Sequence, residues 1–244
     1  MNNTVHFILQ SKGGIGKSFV AALVSEYVQS KSPNMIAFDT DQFNSTLSQY
    51  PSFNAQKINL LDSQHSINPK QFDQMILDII ESPEPAVIDT GANSFTALLN
   101  YIISNKTFEL LKENGKKITI HTIIAGGDMR DDTANGFNSL AKATQVPIIL
   151  WLNEHFGSTA KDDGDVITNS ELIRQHQQSI IGVVWLSKQN PQTFGVDIQS
   201  MTKNRFTTIE AVASTKYHIV EKQRIVMFSR EVFQQLDKIE FAHE

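Results

Sequence analysis

Leu9-Gln10-Ser11-Lys12-Gly13-Gly14-Ile15-Gly16-Lys17-Ser18 follows the apolar run Val5 to Leu9 and opens a stretch with helical periodicity. Gly13, Gly14 and Gly16 remove side chains where a backbone must wrap an anion. Their N–H groups, with the positive end of the following helix, form a phosphate site. Lys17 at the helix start would reach the outer phosphates of a nucleotide, and Ser18 would place its hydroxyl on Mg²⁺. A glycine-rich turn with incidental lysines is the competing reading, and the correctly placed strand and helix argue against it. Where the common form of this loop begins with glycine, the chain has Ser11, and Lys12 follows as a second lysine.

Outward from the loop, Lys17 to Lys31 reads as a helix with Val20, Leu23, Val24, Tyr27 and Val28 on one face. Strands are expected at Met35–Phe38, Ile58–Leu61, Ala86–Ile88, Ile118–Ala125, Val146–Leu152 and Ile180–Leu186. Asn68-Pro69 supplies an N-cap and first-turn proline for a helix to about Ile80. Phe95 to Leu111 reads as largely helical until Gly115, and a long helix spans Val220 to Ile239. Alternating strands and helices, with strands apolar on both faces, imply an α/β fold. The expectation is a single domain, residues 1–244, with a mostly parallel sheet flanked by helices on both faces. Ligands then gather at the carboxyl ends of the strands.

The 244 residues are 40% hydrophobic and 19% charged, with no cysteine, which excludes disulfides, zinc–thiolate sites and iron–sulfur clusters. That composition fits a cytoplasmic protein. No secretory signal or ~20-residue apolar span is visible. A net charge of −5 argues against a surface that grips nucleic acid all over.

Lys12-Gly13-Gly14-Ile15-Gly16-Lys17-Ser18 resembles the deviant Walker A signature of the ParA/MinD ATPases, P-loop NTPases of the SIMIBI type. In that family the early lysine contacts the nucleotide held by the opposite subunit of a face-to-face dimer. The resemblance therefore implies a homodimer in the ATP state, with Lys12 acting across it as an arginine finger does elsewhere. It implies ATP and Mg²⁺ as cofactors, held by Gly13, Gly14, Ile15, Gly16, Lys17, Ser18 and Phe19. Phe38-Asp39-Thr40-Asp41 resembles the family's second motif; Asp41 would orient the attacking water, and Asp39 would support the Mg²⁺ shell and the first switch. Ala86-Val87-Ile88-Asp89 resembles a Walker B strand, with Asp89 holding Mg²⁺ through water. Gly91 could offer its backbone to the γ-phosphate side. Val183 to Ser187, continuing to Gly195, resembles the loop that contacts the base, through Trp185 and Ser187, and Asn153 is a further base contact. Against these stand plainer readings: Asp89 as a helix cap, Trp185 as core.

Two departures fall in the segments that sense the γ-phosphate. Gln42-Phe43-Asn44 replaces the proline usual after the second aspartate, and Asp89-Thr90-Gly91-Ala92 replaces Asp-x-Pro-Pro. Among branches, the pattern is most similar to TraL-like ATPases of bacterial conjugative plasmids. Phe38–Asp41, Val87–Asp89 with Gly91-Ala92 and Ser94-Phe95, Ile120–Thr122 with Gly126-Gly127, and Val184-Trp185 carry that likeness. It implies a switch acting in conjugal transfer or plasmid maintenance, with a protein partner from that machinery.

Other readings stay open at this point: a nucleotide-binding module with little hydrolysis, or a small-molecule ATP-dependent biosynthetic enzyme. Asn153-Glu154-His155-Phe156 is a poor copy of the GTPase Asn-Lys-x-Asp reader. The excess of basic residues from Lys203 to Arg230 suits non-specific DNA or merely a solvated face. The stripe Ile225, Phe228, Val232, Leu236, Ile239 suits packing on the sheet better than a membrane, since Ala242-His243-Glu244 adds no basic face. His65, His121, His155, His176 and His218 show no metal-ligand spacing. Phe156 to Asp165 reads as a flexible insert.

Overall fold

The computed structural model describes residues 3–160 and 167–241. The insert expected at Phe156–Asp165 thus lies partly outside the described residues, and Ala242-His243-Glu244 wholly so. Seven strands form one sheet: β1 (Thr4–Ile8), β2 (Ile36–Asp39), β3 (Gln56–Lys57), β4 (Ala86–Asp89), β5 (Lys117–Ala125), β6 (Ile148–Asn153) and β7 (Ile180–Leu186). Their order is β3-β2-β4-β1-β5-β6-β7, and every paired strand is parallel. The sheet is thus parallel throughout its described length.

The helices are α1 (Lys17–Lys31), α2 (Phe72–Glu81), α3 (Ala92–Ser104), α4 (Thr107–Glu113), α5 (Arg130–Thr144), α6 (Glu171–Gln175), α7 (Phe194–Lys203), α8 (Thr208–Ala213) and α9 (Ile219–Leu236). Strand side chains alternate between two cores. Phe7 and Leu9 join Phe72, Leu98, Phe108 and Phe137 on one face; Ile8, Trp151 and Val184 join Val20, Val24, Phe228 and Val232 on the other. Ile225, Phe228, Val232, Leu236 and Ile239 are all buried, so the stripe of α9 is core. Among the described residues no helix is long and apolar enough to cross a membrane.

Two expected elements differ. The third strand is Gln56–Lys57, not Ile58–Leu61; the Ile58 N–H still donates to the Asp39 carbonyl, and Leu61 forms only an antiparallel bridge with Ile67. The helix expected over Phe95–Leu111 is two helices. Asn105 ends the first, and Lys106 turns the chain in a left-handed conformation (φ 50°) before α4.

β1 lies at the sheet centre, between β4 and β5, where the connections depart in opposite directions. That switch point is where an open α/β sheet leaves a crevice beyond its strand ends. The glycine loop occupies it.

Candidate nucleotide-binding site

The loop keeps its shape through backbone conformations that only glycine adopts cheaply. Gly14 (φ 73°) and Gly16 (φ 96°) are both left-handed, and Gly16 caps α1, its carbonyl accepting the first helical bond from Val20. The entrance is pinned by Gln10, which is fully buried. Its Nε2 donates to the Ile123 and Thr133 carbonyls, and its Oε1 accepts from the Ser11 backbone and hydroxyl. Glycine at 136 leaves room for it, since a Cβ there would lie 2.2 Å from the Gln10 oxygen.

Lys17 is buried (7% exposed) at the helix start, and its ammonium donates to the Lys12 carbonyl at 2.5 Å. Burial lowers its pKa, opposed by the charges of Asp89 and Asp41. Lys12 points elsewhere: its ammonium pairs with Asp132 of α5 at 2.6 Å, with both side chains largely exposed.

Around the loop lies a cleft of about 400 Å³, lined by Gly13, Gly14, Gly16, Lys17, Ser18 and Phe19, by Asp41 with Phe43, Asn44 and Thr46, and by Ala92 and Asn93. The parallel register sets Asp39 directly opposite Asp89 at the ends of β2 and β4. Both are fully buried, but their surroundings differ. Asp39 accepts from the Asp41 N–H on one oxygen and the Ser48 N–H on the other, so it ties down the loop after β2. Among the described residues none makes a well-formed hydrogen bond to either oxygen of Asp89. Its pKa is pushed up to about 7, by burial first and then by Asp39, while nearby Ser18 and Lys17 pull it down.

A buried carboxylate with two unpartnered oxygens beside a serine hydroxyl fits a hard cation, and Mg²⁺ takes few protein ligands, completing its shell with water and phosphate. Ser18 and Asp89 would hold it. Asp39 has each oxygen engaged by a backbone N–H of the loop after β2.

Asp41 lines the cleft and accepts from the Phe43 and Asn44 N–H groups on Oδ1, while among the described residues none donates to Oδ2. Gln42 bonds the Thr40 and Ile58 carbonyls and the Leu60 N–H, bracing the loop against the next segment. Gly91 lets the two loops meet, since a Cβ there would sit 2.7 Å from the Asp41 carboxyl carbon.

A second cleft, of about 470 Å³, continues past Gly14, Gly16 and Phe19 to Asn153, Leu186, Ser187, Gln189, Gln199, Lys203 and Arg205. Asn153 braces the loop, donating to the Ile15 carbonyl and accepting from the His155 N–H. Ile15 itself is core, meeting the site only through its backbone. Ser187 lines the cleft; Trp185 does not. Alternation along β7 sends Leu186 toward the cleft and packs Trp185 against the opposite core. The basic run is also divided: Lys203 and Arg205 face this cleft, while Arg224 pairs with Asp197. Gln10, Asn93, Lys203 and Arg205 were not legible as site residues; only the fold brings Gln10 against β5 and α5, Asn93 to the first cleft, and Lys203 and Arg205, at and just past the end of α7, to the second.

No family model matches the chain. It is 32% identical over 235 residues to Protein TraL of Escherichia coli, covering 96% of this chain and 97% of that one. The fold is that of the MinD cell division protein of Aquifex aeolicus, with TM-score 0.53, 12% identity and coverage of 99% and 100% of the two chains. A ParA family ATPase from Chlorobium tepidum TLS gives TM-score 0.51, 15% identity and 93% and 97% coverage.

Proposed function

The chain belongs to the TraL family, and we propose that it works as an ATP-driven dimerisation switch serving plasmid conjugal transfer or maintenance. The observation that carries this reading is the pairing of the glycine loop with Asp89. One offers backbone N–H groups and Lys17 to phosphates; the other offers two bare carboxylate oxygens beside Ser18. Mg²⁺, when bound, would offset charge on the outer phosphates.

Each polar group in the cleft has a separate task. The loop N–H groups and the Lys17 ammonium hold the β- and γ-phosphates. The free oxygen of Asp41 accepts a proton-bearing water for in-line attack. Lys12 leaves Asp132 and reaches the nucleotide of a second copy, where its charge stabilises the transferring phosphoryl group. Adenine is favoured over guanine, because guanine's adjacent N–H donors call for a carboxylate. Among the described residues lining the second cleft there is none; its polar groups are amides, hydroxyls, the His155 imidazole and cations.

The partner of the ATP-bound dimer belongs to the conjugation or plasmid machinery, and duplex DNA is a further candidate surface for Lys203 and Arg205. Sedimentation of an Asp41→Ala variant with Mg·ATP tests the core of the reading. A dimer that disappears with ADP is expected; a strictly monomeric protein in both nucleotides rejects the switch.

A further inference from the structure

Arg205 occupies a place that glycine usually holds. It follows Asn204, the C-cap of α7, in a left-handed conformation (φ 55°). Its N–H donates to the Thr202 carbonyl and the Phe206 N–H to the Met201 carbonyl, the paired bonds that close a helix end of this kind. An arginine in that turn carries strain that glycine avoids, so its side chain is where a compensating role should be sought.

The guanidinium reaches in two directions. Nη1 donates to the Thr202 carbonyl at 2.7 Å, and Nε donates to Gln49 Oε1 at 3.1 Å, from 156 positions further along the chain. Thr202 belongs to the wall of the second cleft, which α7 lines with Gly195, Ile198, Gln199, Thr202 and Lys203 at helical spacing. Arg205 lines the same cleft beyond the helix end.

Gln49 belongs to the loop that borders the first cleft. Its Nε2 donates to the Asn44 and Ser45 carbonyls at 3.2 and 3.1 Å. The Asn44 N–H in turn donates to Asp41 Oδ1, and the Ser45 hydroxyl donates to the Asp41 carbonyl. One unbroken hydrogen-bonded path therefore joins the wall of one cleft to the carboxylate of the other. The loop has little else to fix it. Phe43, Asn44 and Gln49 are exposed, and its one regular element is the three-residue turn Leu47–Gln49. Such a segment opens easily unless side-chain bonds hold it.

We propose that Arg205 is a positioning residue that couples a base seated in the second cleft to the placement of Asp41 in the first. This rests on the nucleotide reading given above and adds regulation to it. A base against α7 fixes that wall and the guanidinium bound to it. Through Gln49 the guanidinium then fixes the backbone that aims Asp41.

Hydrogen exchange of the Phe43, Asn44, Ser48 and Gln49 amides tests the coupling, with Mg·ADP compared with Mg·pyrophosphate, which brings no base or sugar. In the wild type these amides should exchange at least about threefold more slowly with ADP, and Arg205→Gly should make the two ligands equal. Glycine suits the left-handed turn, so this variant should melt no lower than wild type. Its kcat for ATP should fall about tenfold, the worth of one charged hydrogen bond, with KM within about threefold. Gln49→Ala should reproduce the loss, and the double variant should lose no more than either single one, because both break the same path. Wild-type exchange that is alike with ADP and pyrophosphate, a difference that survives in Arg205→Gly, or additive losses in the double variant overturn the coupling. So does a kcat loss accompanied by a lower melting temperature and faster loop exchange without ligand, which assigns Arg205 a structural role. Wild-type protein that binds neither ligand overturns the nucleotide reading itself, a separate result.

Discussion

The Lys12 ammonium lies 2.6 Å from an Asp132 carboxylate oxygen, while its own backbone carbonyl receives the Lys17 ammonium. One residue thus holds the nucleotide lysine through its main chain and is itself held through its side chain. For Lys12 to act across a dimer, the pair with Asp132 must open. Exposed pairs of this kind are worth at most about 1 kcal/mol, so opening is cheap.

Asp132→Asn should therefore leave thermal stability nearly unchanged and strengthen ATP-dependent self-association severalfold, measured by light scattering. Lys12→Ala should lower ATP turnover by at least about 100-fold, by analogy with trans-acting arginines, while nucleotide affinity stays within about threefold. Loss of nucleotide binding in Lys12→Ala would place that side chain in its own subunit's site instead.

Asp89→Asn should separate stability from activity. A pKa raised to about 7 means the folded state prefers the neutral acid. Ionisation of Asp89 therefore costs stability as pH rises from the ordinary carboxylate range through about 7, and asparagine escapes that cost. At pH 8 the variant should melt several degrees higher than wild type and yet lose Mg²⁺-dependent turnover. A lower melting temperature would mean that the carboxylate has a partner in solution.

Gly91 and Gly14 should fail in different ways when replaced by alanine. Gly91 has an ordinary φ of −67°, but its Cβ would strike Asp41 at 2.7 and 2.9 Å, so Gly91→Ala should displace the loop after β2 and cut turnover at least tenfold. Gly14 has open space around it but a φ of 73°, so Gly14→Ala should cost about 1–3 kcal/mol of strain, seen as weaker nucleotide binding and lower stability. Titration calorimetry and denaturant melts read both.

A buried chain of rings predicts the acid response. Trp151 donates to His121 Nδ1 at 3.0 Å, so His121 carries its proton on Nε2 and donates to His6 Nδ1, also at 3.0 Å. Burial lowers both imidazoles, His6 to about 3 and His121 well below its usual value, so both stay neutral in the fold. The unfolded chain takes up protons below about pH 6.5 while the folded one does not. Stability is therefore full above that pH and falls as pH drops toward 3, by up to about 1.4 kcal/mol per pH unit per ring. Urea midpoints at pH 7.5 and 5.5 should differ accordingly, and His6→Gln should shrink the difference by about half.

Much of this was readable in the residues alone because the informative signals are local. α1 runs over the expected Lys17–Lys31, since glycine capping and apolar periodicity agree there. β7 was equally plain, as a continuous apolar run. The break at Asn105-Lys106 was hidden: apolar spacing carries on across it from Ile102 to Phe108, and lysine seldom takes a left-handed turn. β3 was misplaced because its pairing is made by Gln56 and Lys57, two exposed polar residues, while the apolar residues beside it only look like a strand. The phosphate loop announces itself in ten consecutive positions. Arg205 and Gln10 do not, because what makes them matter is a neighbour brought in from a distant part of the chain.

The register of the central strands carries a constraint of its own. Ile8, Asp39 and Asp89 stand level across β1, β2 and β4, so the ladder itself aligns the base of the glycine loop with both acids. One residue inserted within β4 would turn Asp89 to the opposite side of the sheet, against aliphatic packing. The segment between β3 and α2 could lengthen at small cost. Kin of this protein should therefore differ in length chiefly in their connections, while the spacing from each strand's start to its terminal aspartate stays constant.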